Sequence, residues 1–371
     1  MSDIPFSLYV HFPWCVKKCP YCDFNSHSLA NKLPELEYID ALVRDLCDEQ
    51  QGEQRRHLTS IFFGGGTPSL FNGKSIYQLI SQIDQRFAIE GSEITIEANP
   101  STFDQSNFEN YRQAGVNRLS LGAQSFNQYH LEKLGRIHNP GDIFDAFAGA
   151  RSAGFSRVNI DLMFGLPDQD CDSALTDLEQ AITLGPEHIS WYQLTIEPNT
   201  VFHRHPPVTP DNDILAEITR EGHKLLADAG FDQYEVSAFA RPDESARHNL
   251  NYWLFGDYIG IGAGAHGKLT RDKTIVRTQK TRMPADYVVD ANRRQTKVPS
   301  SEIILEFLMN ALRLTDGFEL TLFSERTGQP PERLDAFIHD ASQLGFIEIN
   351  QGRLVPSERG RYLLDEMLLL I

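Results

Sequence analysis

Cysteine is scarce in this chain, five residues in 371. No secretory leader pattern precedes the first of them, which argues against a disulfide-built secreted domain. Basic charge is scarce too: 34 Lys and Arg stand against 51 Asp and Glu, a formal net charge of −17. Nucleic acid is therefore not an expected partner, because phosphate binding needs a basic face. No apolar run approaches the roughly 20 residues of a membrane-spanning helix, so no transmembrane segment is expected. What remains is ordinary for a globular chain, 41% hydrophobic and 23% charged. Its length suits one large domain and a smaller one. Few thiols and no leader point to the cytoplasm.

The cysteines that are present are not scattered. Cys15, Cys19 and Cys22 stand in Tyr9-Val10-His11-Phe12-Pro13-Trp14-Cys15-Val16-Lys17-Lys18-Cys19-Pro20-Tyr21-Cys22-Asp23-Phe24, a C-x3-C-x2-C spacing with no fourth cysteine nearby. A structural zinc site or an electron-transfer [4Fe–4S] cluster normally takes four protein ligands. Three thiolates on a four-iron cube leave one iron with an open position, where a small molecule can bind. Two alternatives are a disulfide plus a free thiol, and a zinc site closed by His11 or a distant ligand; the spacing and the compartment favour neither. Cys47 and Cys171 lie in helix-like stretches and read as small, inert core residues.

Short β-branched and aromatic runs at 7–12, 60–64, 93–98, 118–122, 157–163 and 189–195 alternate with helical patterns at 36–47, 75–86, 105–113, 141–151 and 173–184. That alternation predicts βα repeats and a parallel sheet. Beyond a proline-rich break, a helix at 213–229 leads to a strand at 231–239, and the glycine-rich stretch 256–267 reads as a tight loop. From 301 the pattern becomes helices at 303–314, 320–325 and 331–344, a hairpin at 346–355 and a helix at 357–369. Three helices and a two-stranded wing predict a winged-helix-like unit. The expected organisation is 1–236, a connecting region 237–300, and 301–371.

With these elements in place, C-x3-C-x2-C directly after an apolar strand resembles the signature of the radical S-adenosylmethionine (SAM) family. Gly64-Gly65-Gly66-Thr67-Pro68-Ser69, Ile96-Glu97-Ala98-Asn99-Pro100 and Leu121-Gly122-Ala123-Gln124-Ser125-Phe126 resemble its oxygen-independent coproporphyrinogen III oxidase group. Cys-Pro-Tyr-Cys-Asp-Phe and His248-Asn249-Leu250-Asn251-Tyr252-Trp253 resemble the haem chaperone branch of that group. The fold so implied is an α/β open six-stranded partial (β/α)6 barrel with the C-terminal α+β winged-helix-like domain. The resemblance implies a [4Fe–4S] cluster on Cys15, Cys19 and Cys22, with SAM held by Tyr9, Gly65, Gly66, Thr67, Glu97, Gln124, Arg136 and Asp161. It implies haem bound through His248, with His266 as a rival ligand, a haem-accepting apoprotein as partner, and a possible homodimer.

Two departures from the oxidase bear on function. Its signature carries a further cysteine two positions after the third, where this chain has Phe24. It also has a long N-terminal extension, whereas the first strand is expected here within seven residues. A haem carrier is therefore expected rather than an enzyme that oxidises a porphyrinogen, which stands as the alternative. Gly262-Ala263-Gly264-Ala265-His266-Gly267 spells a dinucleotide fingerprint, but the residues that follow read as extended and not as the helix it requires. Carboxylates at Glu332, Asp335 and Asp340 turn the winged-helix reading away from DNA, towards a cover for the barrel mouth or a docking surface.

Overall fold

The computed structural model describes residues 4–30, 32–50, 55–103 and 105–371. Six parallel strands carry the barrel: β1 (Phe6–Phe12), β2 (Ser60–Gly65), β3 (Glu93–Ala98), β4 (Arg118–Gln124), β5 (Val158–Phe164) and β6 (His188–Gln193). They pair in sequence order, each with the next. The crossovers include α1 (Glu35–Gln50), α2 (Gly73–Asp84), α3 (Gln105–Gln113), α4 (Pro140–Ser152) and α5 (Cys171–Leu184). Each lies within a few residues of its expected position. The helices start where side chains satisfy free backbone amides: Asn72, Asn139 and Asp170 cap α2, α4 and α5. Leu8, Val10, Ile61, Phe63, Ile94, Ile96, Leu119 and Leu121 point outward into the helix layer and are buried there.

The sheet does not stop at six strands. The hairpin β7 (Asp232–Glu235) and β8 (Ala238–Ala240) pairs antiparallel beyond β6, so the expected single strand 231–239 is two strands with a turn at Val236-Ser237. Beyond β1, the expected loop 256–267 contains a seventh parallel strand, β9 (Asp257–Ile261), buried at every residue. Its glycines are set by close approach: a Cβ on Gly260 would lie 2.0 Å from the carbonyl oxygen of His266. The antiparallel strands β10 (His266–Arg271), β11 (Thr274–Lys280) and β12 (Arg293–Lys297) complete that side. β10 follows the glycine loop as extended chain, as expected.

A buried charge cluster anchors this extension to α1. Lys280 pairs with Asp45 and with Glu49 at 2.7 Å, and Arg293 reaches Glu49 at 3.1 Å. The Asp45 carboxylate also accepts from the Tyr287 hydroxyl at 2.7 Å and the Gly262 amide at 3.3 Å. Charges this deep are tolerated because each is paired and hydrogen-bonded. They fix the 262–265 loop against the end of β1.

The C-terminal unit has helices Ile303–Ala311, Leu320–Thr327 and Asp335–Gln343 and a hairpin of Ile347–Asn350 with Arg353–Pro356. Its last helix is broken at Leu363 into Glu358–Tyr362 and Leu364–Leu368. The unit has its own core, joined by Phe255 and Ile275. It carries 12 Asp and Glu against 6 Arg. It docks beside β7 through Arg313, which meets Glu235 at 3.2 Å and lies over the Trp253 ring. No residue after 300 lines the cavity of the cysteines or that of His248; Arg313, Glu358 and residues 361–366 instead border a separate cavity with Tyr192 and Gln193 at the end of β6.

Candidate functional site

Cys15 ends a two-residue strand, Trp14–Cys15, that pairs in parallel with His27–Ser28 and closes the cysteine loop at its root. Inside the loop, the Lys18 ammonium donates to the carbonyls of Phe24 and Ser26, each at 3.0 Å. Asn25 fastens the loop from outside, donating to the carbonyls of Ala263 and Arg282, each at 2.8 Å. His11 is committed at both ring nitrogens, Nδ1 to the Tyr9 hydroxyl at 2.9 Å and Nε2 to the Asn25 carbonyl at 3.0 Å. It is therefore engaged elsewhere and not free to close a zinc site. Among the described residues, no three His, Cys, Asp or Glu side chains are placed to hold a single metal ion. A cluster is larger than an ion and is held by thiolates further apart. All three cysteines are half-buried free thiols on one cavity wall. Burial pushes the Cys15 thiol up, and the Thr67 hydroxyl partly opposes this. A bound metal centre would remove that cost, since it takes the thiolate form.

That cavity, of about 340 Å³, gathers ten of the twelve expected site residues: the three cysteines with Gly65, Gly66, Thr67, Glu97, Gln124, Arg136 and Asp161. They stand at the C-terminal edge of the parallel strands, where βα barrels place their chemistry. Gly66 is required by the protein itself. A Cβ there would sit 2.5 Å from the Trp14 carbonyl oxygen, and the Gly66 and Thr67 amides donate to Phe12 and Trp14 at 2.6 and 2.7 Å. The glycine run thus zips the end of β2 to the chain that enters the cysteine loop. Gly65 has φ of +114°, a backbone conformation that suits glycine, and its amide donates to the Glu97 carboxylate at 3.1 Å.

The polar groups of this cavity include a carboxyl pair, a guanidinium and a side-chain amide. Burial, reinforced by Asp161, raises the Glu97 carboxyl to about 8, so it favours a cation that would restore its charge. Arg136 is held by Nη2 to the Gly122 carbonyl at 2.7 Å and lies 3.7 Å from the Cys19 sulfur, while its buried Nε has no partner. An unused guanidinium donor suits a carboxylate. Gln124 ends β4 at a bulge with φ of 69°, and its side-chain carbonyl accepts from the Tyr192 hydroxyl at 2.8 Å. Such a backbone is uncommon for a non-glycine residue and persists where its surroundings over-determine it. Asp161 accepts from Ser120 and Asn159, each at 2.8 Å, and burial raises its carboxyl.

Tyr9 and His248 lie elsewhere. They line a second cavity of about 770 Å³ together with Tyr252, Trp253, Tyr258 and His266. His248 sits on a short helix, Arg247–Trp253, packed beside β2. Its ring stacks on Phe62 at 4.4 Å and meets Tyr252 edge-on at 4.8 Å. Its Nδ1 is 3.5 Å from the Ser60 hydroxyl, and burial lowers its pKa to about 3, so the imidazole is neutral. Gly65, Glu97 and Phe24 line both cavities, which are therefore adjacent. His248 is more than two hundred residues from the cysteines in sequence yet shares a wall with their site.

Ser120, Ser190, Tyr192 and Tyr21 also line the first cavity and were not among the expected residues. For three of them a signal existed. Glu97, Ser120, Asn159 and His188 are cross-strand neighbours, and with a side-chain period of two, Gly122, Asp161, Ser190 and Tyr192 follow on the same inner face.

Comparison with known proteins bears on this arrangement. Residues 9–178 match the radical SAM superfamily and residues 298–363 the HemN C-terminal domain. The chain is 45% identical to the heme chaperone HemW of Escherichia coli (strain K12), over 98% of this chain and 97% of that protein. It is 33% identical to the heme chaperone HemW of Bacillus subtilis (strain 168), over 97% of each. The solved coproporphyrinogen III oxidase (HemN) from Escherichia coli, described as a radical SAM enzyme, has the same fold. Its TM-score is 0.84 at 22% identity, covering 99% of this chain and 90% of that one.

Proposed function

The chain belongs to the radical SAM superfamily and, within it, to the HemW family, and on that footing we propose that it is a haem chaperone. It binds haem and a SAM-liganded [4Fe–4S] cluster, and passes the haem to an acceptor apoprotein in the cytoplasm. The observation that carries this reading is the adjacency of two cavities, one walled by three thiols and the other by aromatic rings around a neutral histidine. Among the described residues no helix is long and apolar enough to cross a membrane.

Cys15, Cys19 and Cys22 would hold the cluster, which when bound would supply redox chemistry and an iron that no protein residue ligates. Glu97 and the Gly65–Thr67 backbone would accept from the SAM amino group, Arg136 would offer its free Nε to the carboxylate, and Gln124 would hold the ribose. Asp161, held by Ser120 and Asn159, faces the same cavity and is left for the adenine end or the neighbouring site. In the second cavity, His248 offers a neutral nitrogen to haem iron, while Tyr252 and Trp253 supply faces for the macrocycle. Tyr9, bonded to His11, lines this second cavity and not the first.

Glu97 gives a pH-dependent test of the SAM assignment. Its folded pKa is raised to about 8, so it is mainly protonated at neutral pH and must release a proton before it can accept from the SAM amino group as a carboxylate. Affinity for SAM is expected to rise as pH increases from about 6 towards 8. Glu97→Gln, measured by equilibrium dialysis on cluster-loaded protein, will weaken binding about tenfold near pH 8, the scale of one charge-assisted hydrogen bond, and less near pH 6. Equal affinity in both proteins at the higher pH removes Glu97 from the site.

The function itself is tested by two anaerobic incubations of the reconstituted protein. Haem-loaded protein mixed with an apo-haemoprotein is expected to transfer its haem. With coproporphyrinogen III, SAM and a reductant, it is expected to yield no protoporphyrinogen IX. Formation of that product would replace the chaperone reading with the oxidoreductase one.

A further inference from the structure

Phe24 occupies the position where the oxidase signature has its additional cysteine, and it stands out as a large apolar side chain that is 62% exposed. Its backbone is held firmly. The Phe24 carbonyl accepts from the Lys18 ammonium at 3.0 Å and the Ser26 amide at 2.6 Å. The next residue, Asn25, is bound to Ala263, Arg282 and His11. The ring is thus carried by a fixed loop, two residues from Cys22, into the boundary between the two cavities, both of which it lines. Around the second cavity, Tyr9, Tyr252, Trp253 and Tyr258 supply aromatic surface, and Arg282 supplies a cation at the rim. An exposed ring on a fixed backbone, lining such a cavity, is suited to cover one face of a flat aromatic guest.

We propose that Phe24 is a stacking platform for the porphyrin, making the cysteine loop one wall of the haem site. This rests on the reading of the His248 cavity as the haem cavity. The loop then has two roles, because the segment that carries the cluster thiols also touches the macrocycle. Haem affinity depends on an aromatic ring at position 24, and haem in turn covers the lip shared with the SAM cavity.

The test uses full-length, cluster-reconstituted protein titrated with haem and followed by the Soret band. Phe24→Ala is expected to weaken haem about tenfold, the scale of one lost aromatic contact. Phe24→Trp is expected to retain wild-type affinity, and Phe24→Leu to fall between. Iron and sulfide content should be unchanged in all three. His248→Ala, titrated beside them, separates the two ideas. If His248→Ala weakens haem and Phe24→Ala does not, the cavity is right and the platform is overturned. If neither changes affinity, the haem cavity itself is wrong. Loss of cluster iron together with haem in Phe24→Ala would show that the ring supports the loop and not the porphyrin, which also overturns the proposal; so would failure of Phe24→Trp to preserve binding.

Discussion

Cys19→Ala, reconstituted anaerobically with iron and sulfide, will retain almost no cluster, whereas the wild-type chain will hold about four irons and four sulfides, the content of one cube. Cys15→Ala and Cys22→Ala should behave alike. With three protein thiolates on four irons, removal of one leaves half of the irons without a protein ligand, and among the described residues no other cysteine and no histidine lines the cavity. His11 is bound at both nitrogens, and His27, although its Nε2 has no partner, does not line the cavity of the thiols. Cys47 accepts from Arg86 at 2.9 Å and Cys171 starts α5, both away from the cavity. Cys47→Ala and Cys171→Ala should therefore keep the full iron content. A full cube in Cys19→Ala, or its loss in Cys171→Ala, would mean that the ligand set is wrong.

His248→Ala will weaken haem by at least about tenfold and shift the Soret band, because the iron loses a strong nitrogen donor. Cluster content should stay at the wild-type level. Added imidazole should restore the spectrum towards the wild-type form, a rescue that general unfolding would not permit. Tyr252→Phe removes only a hydroxyl and should have a much smaller effect, since the ring that meets His248 edge-on remains. If His266→Ala abolishes haem binding while His248→Ala leaves it intact, the axial ligand is His266, on the same cavity wall. If neither variant changes binding, the haem is adventitious.

The parts of the molecule that were legible in the sequence share a physical cause. The six barrel strands read correctly because they bury one face under helices and turn a mixed polar face inward, so apolar residues recur at alternate positions. The cysteine triplet and the glycine run stand out because each is nearly contiguous in sequence, and the strand-end residues because parallel strands paired in sequence order bring their ends to one cavity. β9 was hidden because glycine at 256, 260 and 262 signals a loop, and only the fold shows that Gly260 admits the backbone of β10. The split of the 231–239 strand was hidden because the turn at Val236-Ser237 contains no residue that strongly marks a turn. It is held by groups outside it, with the Val236 amide donating to the Arg313 carbonyl and the Gln233 side chain to the Val236 carbonyl. His248 was legible as a residue and not as a place. Its position beside Ser60 and Phe62 depends on contacts across more than 180 positions.

That same late strand sets the order in which the barrel can be completed during synthesis. β1 is made first, yet one of its two edges is covered only by β9, with Phe6 opposite Asp257 and Val10 opposite Ile261. A ribosome that has extruded β1 to β6 has released a sheet with an open first edge, and the Ala263 and Arg282 carbonyls that fasten Asn25 have not yet been translated. Strand pairings this distant form slowly, because loop closure precedes the contacts that reward it. The cysteine loop therefore emerges early and is clamped late. Throughout that interval its thiols remain open to metal delivery, and also to oxidation, before the chain seals them into place.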